Sequence, residues 1–399
     1  MILKQLPFQL LVTIVFTALF GPLLPQGVLN VLYTIGMIFK DVLMAFIPLV
    51  VWGYLMSSMV SFDKKSLVFA LNLVVLTVIS SLMTALVAYG FSISCLPFLG
   101  LDILIKQPES IASSGSIQAL WTLPFASPLT PSIAIVLALV LGCLSVFGDF
   151  PRLKGFAFGL RDHATRILKT YFIPLLPLYV MSVLLKIQSE GSLEFLFKEY
   201  GKIFTALYAL LFLMLGMMTF VVGGKTWRGL KNTIALFLKP GMTALTTMSG
   251  VAAMPFMVDS ISKKTQNSRY AEFSIPLMTN IHTLGDGFVI TTTAIAILYM
   301  TGSPMPTLAQ GLVFVGCYTL ARFFNACVPG GGILVMTPFV EKYLGLGPAW
   351  VGLLTTLYVL QDPLITFINT LGNGLLSLFV YPLFEKRLTG AEEEKRSLA

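Results

Sequence analysis

The sequence reads as an all-α membrane protein with eight transmembrane spans, two opposed re-entrant helical hairpins and inverted repeats. Three observations point that way. Of the 399 residues, 56% are hydrophobic and only 11% charged, with a mean hydropathy of +0.87, whereas a soluble domain averages about 25% charged residues. The apolar residues fall in runs of roughly 20, the length that crosses a bilayer. The later runs are broken near their middles by Gly, Pro, Ser, Thr and Asn. A cytosolic enzyme, a secreted disulfide scaffold and a disordered chain are excluded by the composition.

Six ordinary spans come first, at 7–29, 36–60, 67–91, 132–147, 167–185 and 203–222. Lys4 followed by an apolar run resembles a signal peptide, but the run is long and lacks a small-residue cleavage site, so it reads as a retained span. Interrupted segments follow at 232–262, 270–300, 306–344 and 348–384. The breaks lie at Met248-Ser249-Gly250, across 279–287, and at Val328-Pro329-Gly330-Gly331-Gly332. Each would leave peptide groups unpaired in hydrocarbon, which is tolerated only where protein or a cavity surrounds them. The segments 232–262 and 306–344 are too long for one crossing and read as re-entrant hairpins, with 270–300 and 348–384 as spans seven and eight. An inside N-terminus puts nineteen Lys and Arg in cytoplasmic segments against five outside, as the positive-inside rule requires. Opposed hairpins and broken helices are features of secondary transporters.

The net charge of +8 sits in short blocks between apolar runs and suits membrane lipid rather than nucleic acid, which needs a basic face with aromatic platforms. Cys95, Cys143, Cys317 and Cys327 form no CxxC pair, and only two histidines could join them, so no zinc site or disulfide framework is indicated. Gly224-Lys225-Thr226 echoes a P-loop without its first glycine, and Glu392-Glu393-Glu394 reads as a solvated tail.

Charges at bilayer depth are functional candidates. Asp362, Thr366, Asn369 and Asn373 are spaced i, i+4, i+7 and i+11 and form one polar stripe on the last span. Pro363 frees backbone groups beside Asp362. Hairpin tips present helix N-termini that attract a carboxylate. With an ammonium on Asp362, that describes a zwitterionic amino acid.

Thr247-Met248-Ser249-Gly250-Val251-Ala252-Ala253-Met254-Pro255, Val328-Pro329-Gly330-Gly331-Gly332 and Asp362-x-x-x-Thr366-x-x-Asn369-x-x-Gly372-Asn373 occur in an order that resembles the glutamate transporter homologue family, the dicarboxylate/amino acid:cation symporters. Ile47-Pro48-Leu49-Val50 resembles its second span. The resemblance covers essentially the whole chain. It implies a homotrimeric elevator: a scaffold of 1–66 and 94–202, a transport part of 67–93 and 203–388, and a cytoplasmic tail at 389–399. Both termini would be cytoplasmic, the membrane a plasma (inner) membrane, and the second hairpin tip the outer gate. It further implies that Asp362 binds the substrate amino group, that Asn369 and the tip amides around Ser249, Gly250, Val328, Pro329 and Gly330 bind the α-carboxylate, and that Thr366 lines the site.

Members that take acidic substrates carry an arginine where this chain has Ile365, so a neutral amino acid is expected. The seventh-span Asn-Met-Asp-Gly motif is missing. One register puts His282-Thr283-Leu284-Gly285 there and Asp286 near the substrate side chain. The other makes Asp286 a cation ligand. Met278, Asn280, His282, Asn369 and Asn373 are the remaining cation candidates. Asn373 replaces a sodium-ligating acid, which with His282 leaves coupling to Na+ or H+ open, and His282 reads equally as a packed histidine. No cofactor is expected. Cationic amino acids or dicarboxylates of the same family are alternative substrates. A pore, or an intramembrane hydrolase using Asp286 and Asp362 as an aspartyl pair, is the reading from another class.

Overall fold

A computed structural model describes residues 6–60, 67–101, 117–121, 131–148, 150–189, 193–321 and 331–397. Fourteen α-helices account for nearly all of them, and no strand occurs among the described residues. The first half comprises α1 (Leu6–Phe20), α2 (Gln26–Val60), α3 (Leu67–Cys95), α4 (Pro131–Phe147), α5 (Pro151–Ile167), α6 (Ile173–Ser189) and α7 (Leu193–Val222). The second comprises α8 (Trp227–Thr247), α9 (Gly250–Thr265), α10 (Ser268–Ile281), α11 (Leu284–Met300), α12 (Leu308–Ala321), α13 (Gly331–Phe339) and α14 (Pro348–Ser397).

Several boundaries differ from the sequence reading. The first helix stops at Phe20 rather than near residue 29, because Gly21, Pro22 and Pro25 interrupt the backbone ladder. The gap expected around residues 30–35 is instead interior to α2, which runs unbroken for 35 residues. The basic stretch before residue 167, expected as a loop, is helical. Pro151 starts α5 at a position where its missing N–H costs nothing. A π-helical turn at Leu168–Phe172 follows, and the segments Pro151–Phe172 and Pro174–Lys186 meet at 52°. Pro174 cannot complete the ladder there. The expected tail after residue 388 continues α14 to Ser397.

The helices pack in two groups. In one, α2 lies against α4, α5 and α6, and α1 lies against α6. In the other, α11 and α14 pack together, α3 and α7 flank α11, and α8, α9 and α10 pack against α14. α8 packs on α9, and α12 packs on α13. Among the described residues, four helical segments are long and apolar enough to cross a membrane: Leu71–Leu99, Lys198–Val222, Ser268–Met300 and Trp350–Phe384. The bent pair reaches that length and hydropathy only when its two helices are taken together. The apolar window of Ser268–Met300 is 100% buried in protein against 28% for Lys198–Val222, so the broken segment is central and α7 is peripheral.

Candidate functional site

Three chain breaks converge on one cleft. At the first, α8 ends at Met248, whose left-handed φ of 50° turns the chain, and Ser249 Oγ then caps α9 by accepting from Ala252 N at 3.3 Å. The second break falls at His282 and Thr283, where α10 gives way to extended backbone before α11 begins at Leu284. Asp286 sits in the first turn of α11, where the helix dipole favours a carboxylate. At the third, α13 opens beside the cleft with Gly331 and Gly332.

From α14, Tyr358, Asp362, Thr366, Asn369, Thr370 and Asn373 line the cleft. The broken segment adds Thr279, Thr283 and Asp286, and the hairpins add Met248, Gly250 and Gly332. The empty space between them, about 410 Å3, includes open solvent at the mouth. No Lys or Arg is among the described lining residues.

Hydrogen bonds organise the carboxylates. Tyr358 Oη donates to Asp286 Oδ1 at 2.7 Å, and Asn369 Nδ2 donates to the same oxygen at 3.3 Å. Asn369 Oδ1 accepts from Gly285 N at 2.8 Å, so one amide ties the start of α11 to α14 at both ends. Thr366 Oγ1 donates to Asp362 Oδ1 at 3.3 Å. Close approach favours glycine twice. A Cβ on Gly285 would lie 3.0 Å from the Ile365 carbonyl oxygen, and one on Gly332 would collide with the Tyr358 hydroxyl.

A second polar group lies behind the cleft. Fully buried His282 places Nδ1 2.9 Å from Asn373 Oδ1 and Nε2 3.0 Å from Ser80 Oγ on α3. With the proton on Nδ1, the ring donates to Asn373 and accepts from Ser80. The Asn373 oxygen that a hard cation would use is therefore engaged by the imidazole.

Of the residues singled out by sequence, Gly250, Asp286, Asp362, Thr366, Asn369 and Asn373 meet in the cleft. Ser249 caps the helix beside it. Ile365 and Met278 are fully buried and lie outside the lining. Asn280 lies in α10, its side chain outside the described residues, and Val328, Pro329 and Gly330 lie outside them altogether. Sequence reasoning misses Tyr358, which extends the Asp362 stripe by one turn, and Ser80, which nothing in the sequence connects to His282.

A polar cleft enclosed by broken helices in an apolar helical protein is the architecture of a solute transporter. Residues 6–382 match the sodium:dicarboxylate symporter family, and the chain belongs to that family. It is therefore a multi-pass membrane protein and a symporter of small solutes. Among curated proteins, none matches the chain. The Gly224-Lys225-Thr226 string is a helix cap, Thr226 Oγ1 accepting from Gly229 N at 3.1 Å.

Proposed function

We propose that this protein is a secondary active symporter of neutral amino acids, driven by Na+ or H+ and working as an elevator. The observation that carries the reading is that Asp286 and Asp362 share a cleft whose described lining has no cationic side chain. A dicarboxylate would bring further negative charge to two acids, whereas an α-ammonium group brings the opposite charge to Asp362. A zwitterion is neutral overall, so a co-bound Na+ or H+ compensates the remaining carboxylate. Asn369 and the backbone N–H groups at the hairpin tips, those of Ser249, Gly250, Val328 and Gly330, receive the α-carboxylate, with Pro329 shaping the second tip. Asp286, steadied by Tyr358, faces the substrate side chain and favours a hydroxyl there. A second reading, a cationic amino acid, is favoured by the same carboxylate. Membership of a symporter family leaves an aspartyl-type hydrolase without support.

Two packing groups support the elevator reading: α1, α2, α4, α5 and α6 as scaffold, and α3 with α7–α14 as the moving part. In this reading the protein is a trimer of the inner membrane with cytoplasmic termini, eight spans and two re-entrant hairpins. The second hairpin gates the outer side, its glycines permitting rearrangement. Uptake into proteoliposomes, with a panel of amino acids and each ion gradient omitted in turn, tests the proposal. Concentrative uptake of neutral amino acids that collapses without one gradient is expected. Glutamate uptake of equal rate sinks it.

A further inference from the structure

We propose that the elbow between α4 and α5 is a binding site for an anionic phospholipid, separate from the transport cleft. α4 is an apolar helix without a single charge, and α5 opens with Arg152 and Lys154. Between them lies a groove lined by Leu144, Phe150, Pro151, Arg152, Leu153 and Phe156. Its empty space, about 1150 Å3, includes open solvent. Leu144, Phe150 and Phe156 are each about half exposed, at 53%, 50% and 48%, so an apolar trough runs up to a cation.

The trough is pre-formed because α5 is pinned to α2. Phe156 packs edge-on against Trp52 with ring centroids 5.6 Å apart. The absent side chain of Gly53 lets the α5 backbone pass close by: a Cβ there would lie 3.0 Å from Arg161 N. A groove already open in the folded protein takes a ligand without an ordering cost.

Charge names the occupant. Between residues 149 and 169 the chain carries Arg152, Lys154, Arg161, Arg166 and Lys169 against Asp149 and Asp162. Arg161 is taken up by Asp162 at 2.8 Å. Arg152 is exposed and makes no ion pair among the described residues. The first turn of α5 holds no acid, and Phe150 at its N-cap supplies no side-chain acceptor. An apolar trough ending in a cation and an uncapped helix start matches a molecule that joins an acyl chain to a phosphate. The charge order agrees: an uncharged apolar helix is followed directly by one that opens with Arg152 and Lys154, the arrangement that faces anionic headgroups.

Trp52, touching Phe156, is a built-in reporter. In phosphatidylcholine nanodiscs doped with brominated phosphatidylglycerol or brominated phosphatidylcholine, quenching of Trp52 is read by subtracting the Trp52→Phe protein. Phosphatidylglycerol should quench more strongly at equal mole fraction. Arg152→Gln should weaken that preference about fivefold. Arg166→Gln, several turns away on α5, should leave it unchanged. Equal quenching by both lipids overturns the site, and so does a preference that survives Arg152→Gln. A loss of equal size with Arg166→Gln also overturns it, as diffuse charge attraction.

Discussion

The Tyr358 hydroxyl donates to Asp286 at 2.7 Å, joining the α14 stripe to the first turn of α11. Asn369, eleven residues along the same helix, reaches the same carboxylate oxygen. Asp286 is thereby held from two points on α14, while Asp362, between them, accepts from Thr366 of its own helix. The two carboxylates of the cleft have different surroundings, and different roles follow. Tyr358→Phe keeps the ring and removes the donor. A hydrogen bond to a charged group contributes about 1.5–3 kcal/mol, so the variant should show a lower unfolding midpoint in detergent and altered preference among substrate side chains. An unchanged midpoint would show that the bond contributes nothing.

Asp362→Asn tests the ammonium partner. Removing the charge from one side of a buried, hydrogen-bonded ion pair costs about 2–5 kcal/mol. Substrate affinity should therefore fall at least about thirtyfold, read by isothermal calorimetry, with helical content retained by circular dichroism. Wild-type binding with lost turnover would point instead to catalysis.

How much of this is legible in the sequence depends on distance along the chain. The α14 positions 362, 366, 369 and 373 share a helix face, and all four line the cleft. Tyr358 is in the same register, but an aromatic in an apolar run reads as core. Ser80 and His282 lie 202 residues apart, and only packing of α3 on α10 and α11 joins them. The α5 helix is obscured by its charges. Leu153, Phe156, Ala157, Leu160, Ala164 and Ile167 follow helical spacing, yet the cations between them suggest a loop. The break at residues 21–25 is carried by Gly21, Pro22 and Pro25, inside a run whose hydropathy alone reads as one span.

Gly332→Ala tests the contact between α13 and the cleft. A Cβ there would collide with the Tyr358 hydroxyl and lie 3.2 Å from Asp286 Oδ2. Either the α13 arm or the Tyr358 hydroxyl must then shift from Asp286, so uptake should drop several-fold while expression and insertion remain normal. Wild-type uptake by the variant would show that the close contact of Gly332 with Tyr358 and Asp286 is dispensable.

His282→Ala strands Ser80 Oγ and Asn373 Oδ1 in a buried site and leaves a cavity. An unsatisfied buried polar group costs about 1–3 kcal/mol, and the lost ring adds to this. A large drop in the unfolding midpoint is expected, partly restored by His282→Gln, whose amide offers both a donor and an acceptor. Equal midpoints for wild type and His282→Ala would remove the structural role.

The segment from α10 to α11 has its apolar window wholly enclosed by protein, with two non-helical residues at its centre. Alone in lipid, the neighbouring Asp286 would lose its Tyr358 and Asn369 donors. During synthesis, then, this stretch has little to gain from the bilayer by itself. Its entry is bound to the assembly of α3 and α14 around it, which makes the order of insertion part of how this fold is reached.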